Sequence, residues 1–197
     1  ESKKIIELAS EKVEKNIFRE DEIKLVGIGK LLKSKGFNRL LEITKRLKEE
    51  GYPVHLYILG MGPEEKNLKH YANENSIGNY VDFLGYQINP YKYVAKCDLF
   101  VCASHAEGFS TAATEALIVG TPVCTVEVSG MKEMLGHNNE YGFVTENNAD
   151  ALYEQIRSLI IQPELLQCYK KRAKARGALF STEATVKSVE DLFKEIS

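Results

Sequence analysis

Six short apolar runs recur along this chain, three of them closed by glycine, with helical spacing between them. Lys24 to Ile28, Val54 to Leu59, Val81 to Leu84, Asp98 to Cys102, Pro122 to Val126 and Gly142 to Val144 read as strands. They are nearly continuous in apolar character rather than alternating, as strands covered on both faces are. Between the first two, Phe37, Leu40, Leu41, Thr44 and Leu47 fall at helical spacing up to Gly51. Leu68, Tyr71 and Ala72 form the inner face of a second helix. Asn89-Pro90 predicts a helix start, with Asn as cap and Pro in the first turn. Ser110 predicts a cap for a helix running through Val119 and ended by Gly120. Strand and helix in alternation imply a parallel sheet with helices on both faces, a Rossmann-like three-layer α/β/α fold.

The ends of the chain are read as helical. Ser2 to Phe18 predicts an amphipathic helix before the sheet. After Ala149 the pattern is helical to the end, with Leu152, Ile156, Leu159 and Ile160 on one face. Val186, Val189, Leu192, Phe193 and Ile196 share another. The expectation is one domain over residues 1–197, with a core of about 22–160 and a helical tail over 161–197.

Bulk properties exclude several functions. A net charge of −2 argues against nucleic acid or an anionic membrane as partner. No apolar stretch approaches the length of roughly 20 residues needed to cross a bilayer. Glu1-Ser2-Lys3-Lys4 is not a signal peptide, and the lack of an initial Met suggests a piece of a longer protein. Cys97, Cys102, Cys124 and Cys168 form no C-x-x-C pair and are expected to be buried free thiols of a cytoplasmic protein. His55, His70, His105 and His137 show no metal-ligand spacing.

Ligands of open α/β sheets bind where strands end and helices begin. The loops after Ile28, Leu59, Leu84, Cys102 and Val126 should therefore line one crevice. The fourth reads Ser104-His105-Ala106-Glu107-Gly108-Phe109-Ser110-Thr111. Gly108 lets a ligand approach the backbone closely. The helix that starts near Ser110 aims unpaired N–H groups and its positive dipole end into the crevice. Glu107 lies just before that helix. Glu115 lies about five residues inside it, roughly 7.5 Å along the axis. Two carboxylates so placed can grip different rings of one extended ligand by accepting from its hydroxyls. The first loop, Gly27 to Gly36, carries Lys30, Lys33 and Lys35 and can neutralise a pyrophosphate, although the G-x-x-x-x-G-K spacing of a P-loop is missing.

Taken in order, four elements resemble the C-terminal domain of the family 4 (group 1) retaining glycosyltransferases, which have the GT-B fold. The family's E-G-F followed by E-A-x-x-x-G-x-P-V stands here as Glu107-Gly108-Phe109 and Glu115-Ala116 through Gly120-Thr121-Pro122-Val123. Val26 to Gly36 is similar to its V-G-R-L-x-x-x-K-G element, Gly60-Met61-Gly62-Pro63 to its G-x-G-P turn, and Phe83-Leu84-Gly85-Tyr86 to the strand before its base pocket. The resemblance runs over about residues 22–160.

The resemblance implies transfer of a sugar from a nucleoside-diphosphate donor, a UDP- or GDP-sugar, to an acceptor glycan or glycolipid with retention of configuration. This chain would be the donor-binding half. Glu115 would bind the ribose hydroxyls. Glu107 would contact the donor sugar, helped by backbone N–H groups over Gly108, Phe109, Ser110 and Thr111. Lys30 and Lys35 would bind the diphosphate, Gly29 and Gly60 would border the donor, and Tyr86 would flank the base. No cofactor or metal is expected, because lysines and a helix end can hold the leaving diphosphate. An N-terminal acceptor domain would be missing, so the chain alone should turn over poorly. The expected place is the cytoplasm, peripheral to the inner membrane face through that missing domain.

Three departures from the family pattern stand out. Lys30 replaces an Arg and loses its bidentate fork. Ser110 replaces the Gly after E-G-F, and Ser129 the first Gly of G-G-x-x-E. His105 reads as structural, with a catalytic role as the alternative. Tyr91 and Tyr93 read as helix packing, Lys33 as surface, and Phe109 also as an anchor of its loop. The alternatives to a transferase are a non-catalytic Rossmann-like module, or a GT-B enzyme of another reaction such as an epimerase or phosphorylase.

Overall fold

A computed structural model describes residues 2–14, 17–108 and 110–180. Helix α1 (Ser2–Ala9) precedes β1 (Ile23–Ile28). A 3-10 turn (Lys33–Lys35) then leads to α2 (Phe37–Glu49), β2 (Val54–Leu59), α3 (Glu65–Glu74) and β3 (Val81–Gly85). After these come α4 (Tyr91–Val94), β4 (Leu99–Cys102), α5 (Thr111–Ile118), β5 (Val123–Val126), α6 (Met131–Leu135) and β6 (Phe143–Thr145). Helices α7 (Ala149–Ile161) and α8 (Pro163–Ala178) follow.

All six strands are parallel and stand in the order β3-β2-β1-β4-β5-β6. The chain builds outward from β1 to β3, then returns to lay β4 on the other side of β1. Helices after β1 and after β4 must therefore leave on opposite faces, which opens a crevice beyond the carboxyl ends of β1 and β4.

Strand periodicity divides the core. All six residues of β2 are buried. Leu56 and Ile58 pack with Leu40, Leu41 and Leu47 of α2 and with Leu152 and Ile156 of α7. Tyr57 and Leu59 face the opposite layer, with Ala113, Ala116 and Leu117 of α5 and Ala173 of α8. Alternation sends neighbours to opposite faces, and both faces are covered, so the run is apolar at every position but His55. Each large buried aliphatic contributes about 1.5–3 kcal/mol.

At the other end of the sheet, away from the crevice, the one polar member of β2 is paired. His55 Nδ1 lies 3.0 Å from Glu22 Oε2, and Nε2 lies 2.9 Å from Asp82 Oδ2. This ring ties β2 to β3 and to the entry of β1.

Two local expectations are corrected. The first helix ends at Ala9 instead of continuing to Phe18. Ser10 Oγ donates to Glu7 O at 2.6 Å, and Asn89 Nδ2 donates to Leu8 O at 2.8 Å. Side-chain donors thus take carbonyls that a longer helix would use. Asn89 is consequently not a cap: Pro90 holds the N-cap position of α4, without a side-chain bond. Ser110 does cap α5, its hydroxyl accepting from the Ala113 N–H at 3.3 Å. The apolar positions 186, 189, 192, 193 and 196 lie outside the described residues.

Candidate functional site

Glu107 sits between β4 and α5 with both carboxylate oxygens already bonded. Lys35 Nζ donates to Oε1 at 2.5 Å, and Ser104 Oγ donates to Oε2 at 2.9 Å. Lys35 belongs to the turn after β1, so this ion pair bridges the two strands that flank the topological switch. The loop is also braced from behind. His105 N–H donates to Ser34 O at 2.8 Å. Arg39 Nη1 donates to Ala103 O at 3.2 Å and to Asn147 Oδ1 at 2.7 Å. Asn147 Nδ2 in turn donates to His105 O and Glu127 O, each at 3.2 Å. One carboxamide after β6 thereby holds the loops after β4 and β5 together.

Helix α5 begins at the floor of the crevice. The Ser110 hydroxyl takes the Ala113 N–H, and Thr114 N–H turns back to Ser110 O at 3.2 Å. The Thr111 and Ala112 N–H groups belong to the first turn, which has no intrahelical acceptors. Their residues line the crevice. Glu115 follows one turn later, and Tyr91 Oη donates to its Oε1 at 3.0 Å.

Two cavities meet here. One, of about 380 Å³, is bordered by Gly29, Lys30, Lys35, Glu107, Ser110, Thr111 and Glu115. The other, of about 580 Å³, is bordered by Gly60, Met61, Tyr86, Ile88, Pro90 and Tyr91. Ile28, Gly29, Lys30 and Glu115 border both, so they form one continuous crevice. Each compartment is within the usual size of a small-molecule site, roughly 300–1,000 Å³. Lys30 is exposed at their junction.

Glycines do two kinds of work around this crevice. Gly60 has φ 136°, and a Cβ there would stand 1.9 Å from Gly29 O. It is needed so that the loops after β1 and β2 can touch. At Gly108 a Cβ would meet nothing within 4 Å among the described residues. Internal packing does not call for glycine there, and the space in front of it is open.

Of the residues singled out from the sequence, Gly29, Lys30, Lys35, Gly60, Tyr86, Glu107, Ser110, Thr111 and Glu115 border the crevice. Gly108 is exposed beside it. Phe109 lies outside the described residues.

His105 borders a different cavity, with Leu32, Lys33, Asn38 and Glu64. The desolvation it feels, and then the Arg39 guanidinium, hold its imidazole below the ordinary range. Tyr93 packs against the core, as expected. Tyr91 does not merely pack: it lines the crevice and bonds Glu115. Asn147 and Tyr91 had no local signal, since their partners lie on other elements. Gly130 caps α6, and Lys132 in the first turn of that helix pairs with Glu127 at 2.5 Å.

The thiols divide. Cys97 and Cys124 are buried, which pushes both well above the usual thiol range, whereas Cys102 is half-buried and Cys168 exposed, contrary to expectation. Among the described residues no group of three or more His, Cys, Asp or Glu gathers as a metal ion would require. No helix among them is long and apolar enough to cross a membrane.

Known proteins are similar to this chain in sequence and in fold. The chain is 33% identical over 172 residues to the Campylobacter jejuni N-acetylgalactosamine-N,N'-diacetylbacillosaminyl-diphospho-undecaprenol 4-alpha-N-acetylgalactosaminyltransferase, which covers 86% of this chain and 45% of that protein. It is 28% identical over 178 residues to the lipopolysaccharide core biosynthesis glycosyltransferase LpsD of Rhizobium meliloti, covering 88% of this chain and 50% of the relative. The chain thus spans about half the length of the curated relatives it matches.

In three dimensions it superposes on WaaG, a glycosyltransferase involved in lipopolysaccharide biosynthesis, with a TM-score of 0.78 at 20% identity. That match covers 95% of this chain and 50% of the other. It superposes on Anabaena HepE, solved in complex with UDP, with a TM-score of 0.77 at 21% identity, covering 89% and 49%. Residues 9–176 match the profile of the family described as Glycosyl transferases group 1. The chain belongs to the group 1 glycosyl transferases, with the Rossmann-like fold of their C-terminal domain.

Proposed function

We propose that this chain is the donor-binding half of a retaining glycosyltransferase that moves a sugar from a nucleoside-diphosphate sugar to an acceptor glycan or glycolipid. The observation that carries this reading is the crevice at the β1–β4 switch. It joins a cationic, hydroxyl-accepting compartment around Lys30, Glu107 and Glu115 to an apolar compartment around Tyr86. A sugar diphosphate and a base need those two surfaces in that sequence. Glu115 accepts from the ribose hydroxyls, Lys30 and the first N–H groups of α5 face the diphosphate, and Glu107 faces the sugar. Tyr86 flanks the base, with Gly29 and Gly60 at the donor's edge.

The difficult step is departure of the nucleoside diphosphate from the anomeric carbon. Negative charge grows on the leaving oxygen while positive charge grows on the sugar ring. Fixed cations and N–H dipoles aimed at that oxygen lower the barrier because they are oriented before the reaction starts. Lys30 and the α5 terminus supply these here, so the proposed reaction requires no metal. The Glu107 carboxylate, pinned by Lys35 and Ser104, lies on the side where positive charge develops. Front-face attack by the acceptor needs no enzyme nucleophile, and the acceptor side would come from a second domain. The proposed site of action is the cytoplasm, at the inner membrane face.

A thermal-shift panel of UDP, GDP, ADP and their sugars tests the reading. A ligand at a hundred times its Kd stabilises the native state by about 2.7 kcal/mol, roughly 5–10 °C for a chain of this size. Glu115→Ala should shrink the shift, leaving weaker binding through the diphosphate and base. Indifference of the wild-type chain to every nucleotide at millimolar concentration would overturn the proposal.

A further inference from the structure

The first ring of α4 reaches across to α5, where the Tyr91 hydroxyl bonds Glu115. Both residues border the larger compartment. The chain just before Tyr91 is moored elsewhere. Asn89 Nδ2 donates to Leu8 O at 2.8 Å and to Glu11 Oε2 at 2.9 Å, at the C-terminal end of α1. Asn89 Oδ1 is buried without a partner among the described residues, so the hold runs through the amide nitrogen alone. Helix α1 is itself fixed. Ile5 is buried, and Ser2 Oγ donates to Phe180 O at 3.0 Å. Between the mooring and the ring stands Pro90 with φ −73°, which leaves little slack.

We infer that Tyr91 is a positioning residue for Glu115, and that Asn89, by its anchor on α1, keeps Tyr91 in place. This rests on the reading of Glu115 as the ribose ligand. A glutamate side chain has three rotatable bonds, and ordering them when a ligand arrives costs entropy. A donor fixed on one oxygen removes that freedom beforehand. A carboxylate has about four acceptor sites, and the bond from Tyr91 orients it while using one of them. Helix α1 lies outside the crevice yet takes part in setting how tightly the ribose is gripped.

Calorimetry on this chain with UDP, GDP and ADP first identifies the tightest ligand. Tyr91→Phe removes one oxygen and should weaken that ligand roughly tenfold, as loss of a hydrogen bond to a charged group does. Asn89→Ala, which leaves the ring and hydroxyl intact, should weaken it in the same direction. Neither loss should appear in a Glu115→Ala background, and neither should appear with the 2′,3′-dideoxy form of the nucleotide. A purely structural defect would persist in both.

If Tyr91→Phe changes the affinity less than twofold, the inference falls. It falls equally if the cost is as large without Glu115 or with the dideoxy nucleotide. If the wild-type chain binds none of the three nucleotides, the donor reading falls and takes this inference with it.

Discussion

Both oxygens of Glu107 are held before any ligand arrives, whereas Met61, Tyr86 and Ile88 stand 57%, 72% and 92% exposed around the other half of the crevice. The Glu107 side is a set of charges and dipoles locked by Lys35, Ser104, Arg39 and Asn147. The Tyr86 side is apolar surface with few ties. Charge stabilisation depends on orientation fixed in advance, because a dipole that must turn during the reaction gives back much of what it gains. An apolar face needs only to be covered, since burial is non-directional. The two halves are therefore expected to respond differently to substitution.

Activity gives the largest contrast. In the complete enzyme, Glu107→Gln should lower kcat by roughly a thousandfold, the upper range for removing one preorganised electrostatic group. Its effect on nucleotide affinity should be small, as kinetics and calorimetry on the same variant would show. A loss confined to KM would mean that Glu107 only binds.

The seam between the halves comes next. Gly60→Ala places a Cβ against Gly29 O in a backbone conformation that other residues rarely adopt. It should destabilise the chain by about 3 kcal/mol in urea unfolding. Gly108→Ala, with open space around its Cβ, should stay within about 0.5 kcal/mol of wild type while weakening donor binding. Equal stability losses at the two positions would erase the distinction between a packing glycine and a ligand-facing one.

Asn147→Ala tests whether the charged half needs its brace. It removes the donor that joins two loops and should cost about 2 kcal/mol in unfolding free energy. Proteolysis of the Glu107 loop should accelerate with it. Tyr86→Ala should have the smallest effect, about 1 kcal/mol of nucleotide affinity for one lost aromatic face, with no change in melting temperature. A large stability change at Tyr86 would show that the apolar half is also load-sharing structure.

These contrasts also explain what could be read from the sequence. The central strands were legible because burial on both faces leaves an apolar signature, as in Val54 to Leu59, that needs no partner to interpret. Glu107 and Glu115 were legible because Gly108, Ser110 and Gly120 punctuate the chain around them. Tyr91 was not, since its partner lies 24 residues away on another helix and a tyrosine at a helix start looks like packing. The end of α1 was hidden for the same reason: the side chain that takes the Leu8 carbonyl is 81 residues distant. Local pattern reports what a residue is buried in, and distant pairing reports what it is aimed at.

The Asn147 brace has a consequence in time. Its partners lie 20, 42 and 108 residues earlier in the chain, on Glu127, His105 and Arg39. Contacts so distant form late, because chain closure must precede any gain from them. During synthesis the Glu107 loop emerges well before the residue that secures it. In refolding, nucleotide binding should therefore lag behind formation of the first strands and appear only once β6 has docked. The crevice becomes competent last, and ligand binding reports that the sheet has been finished.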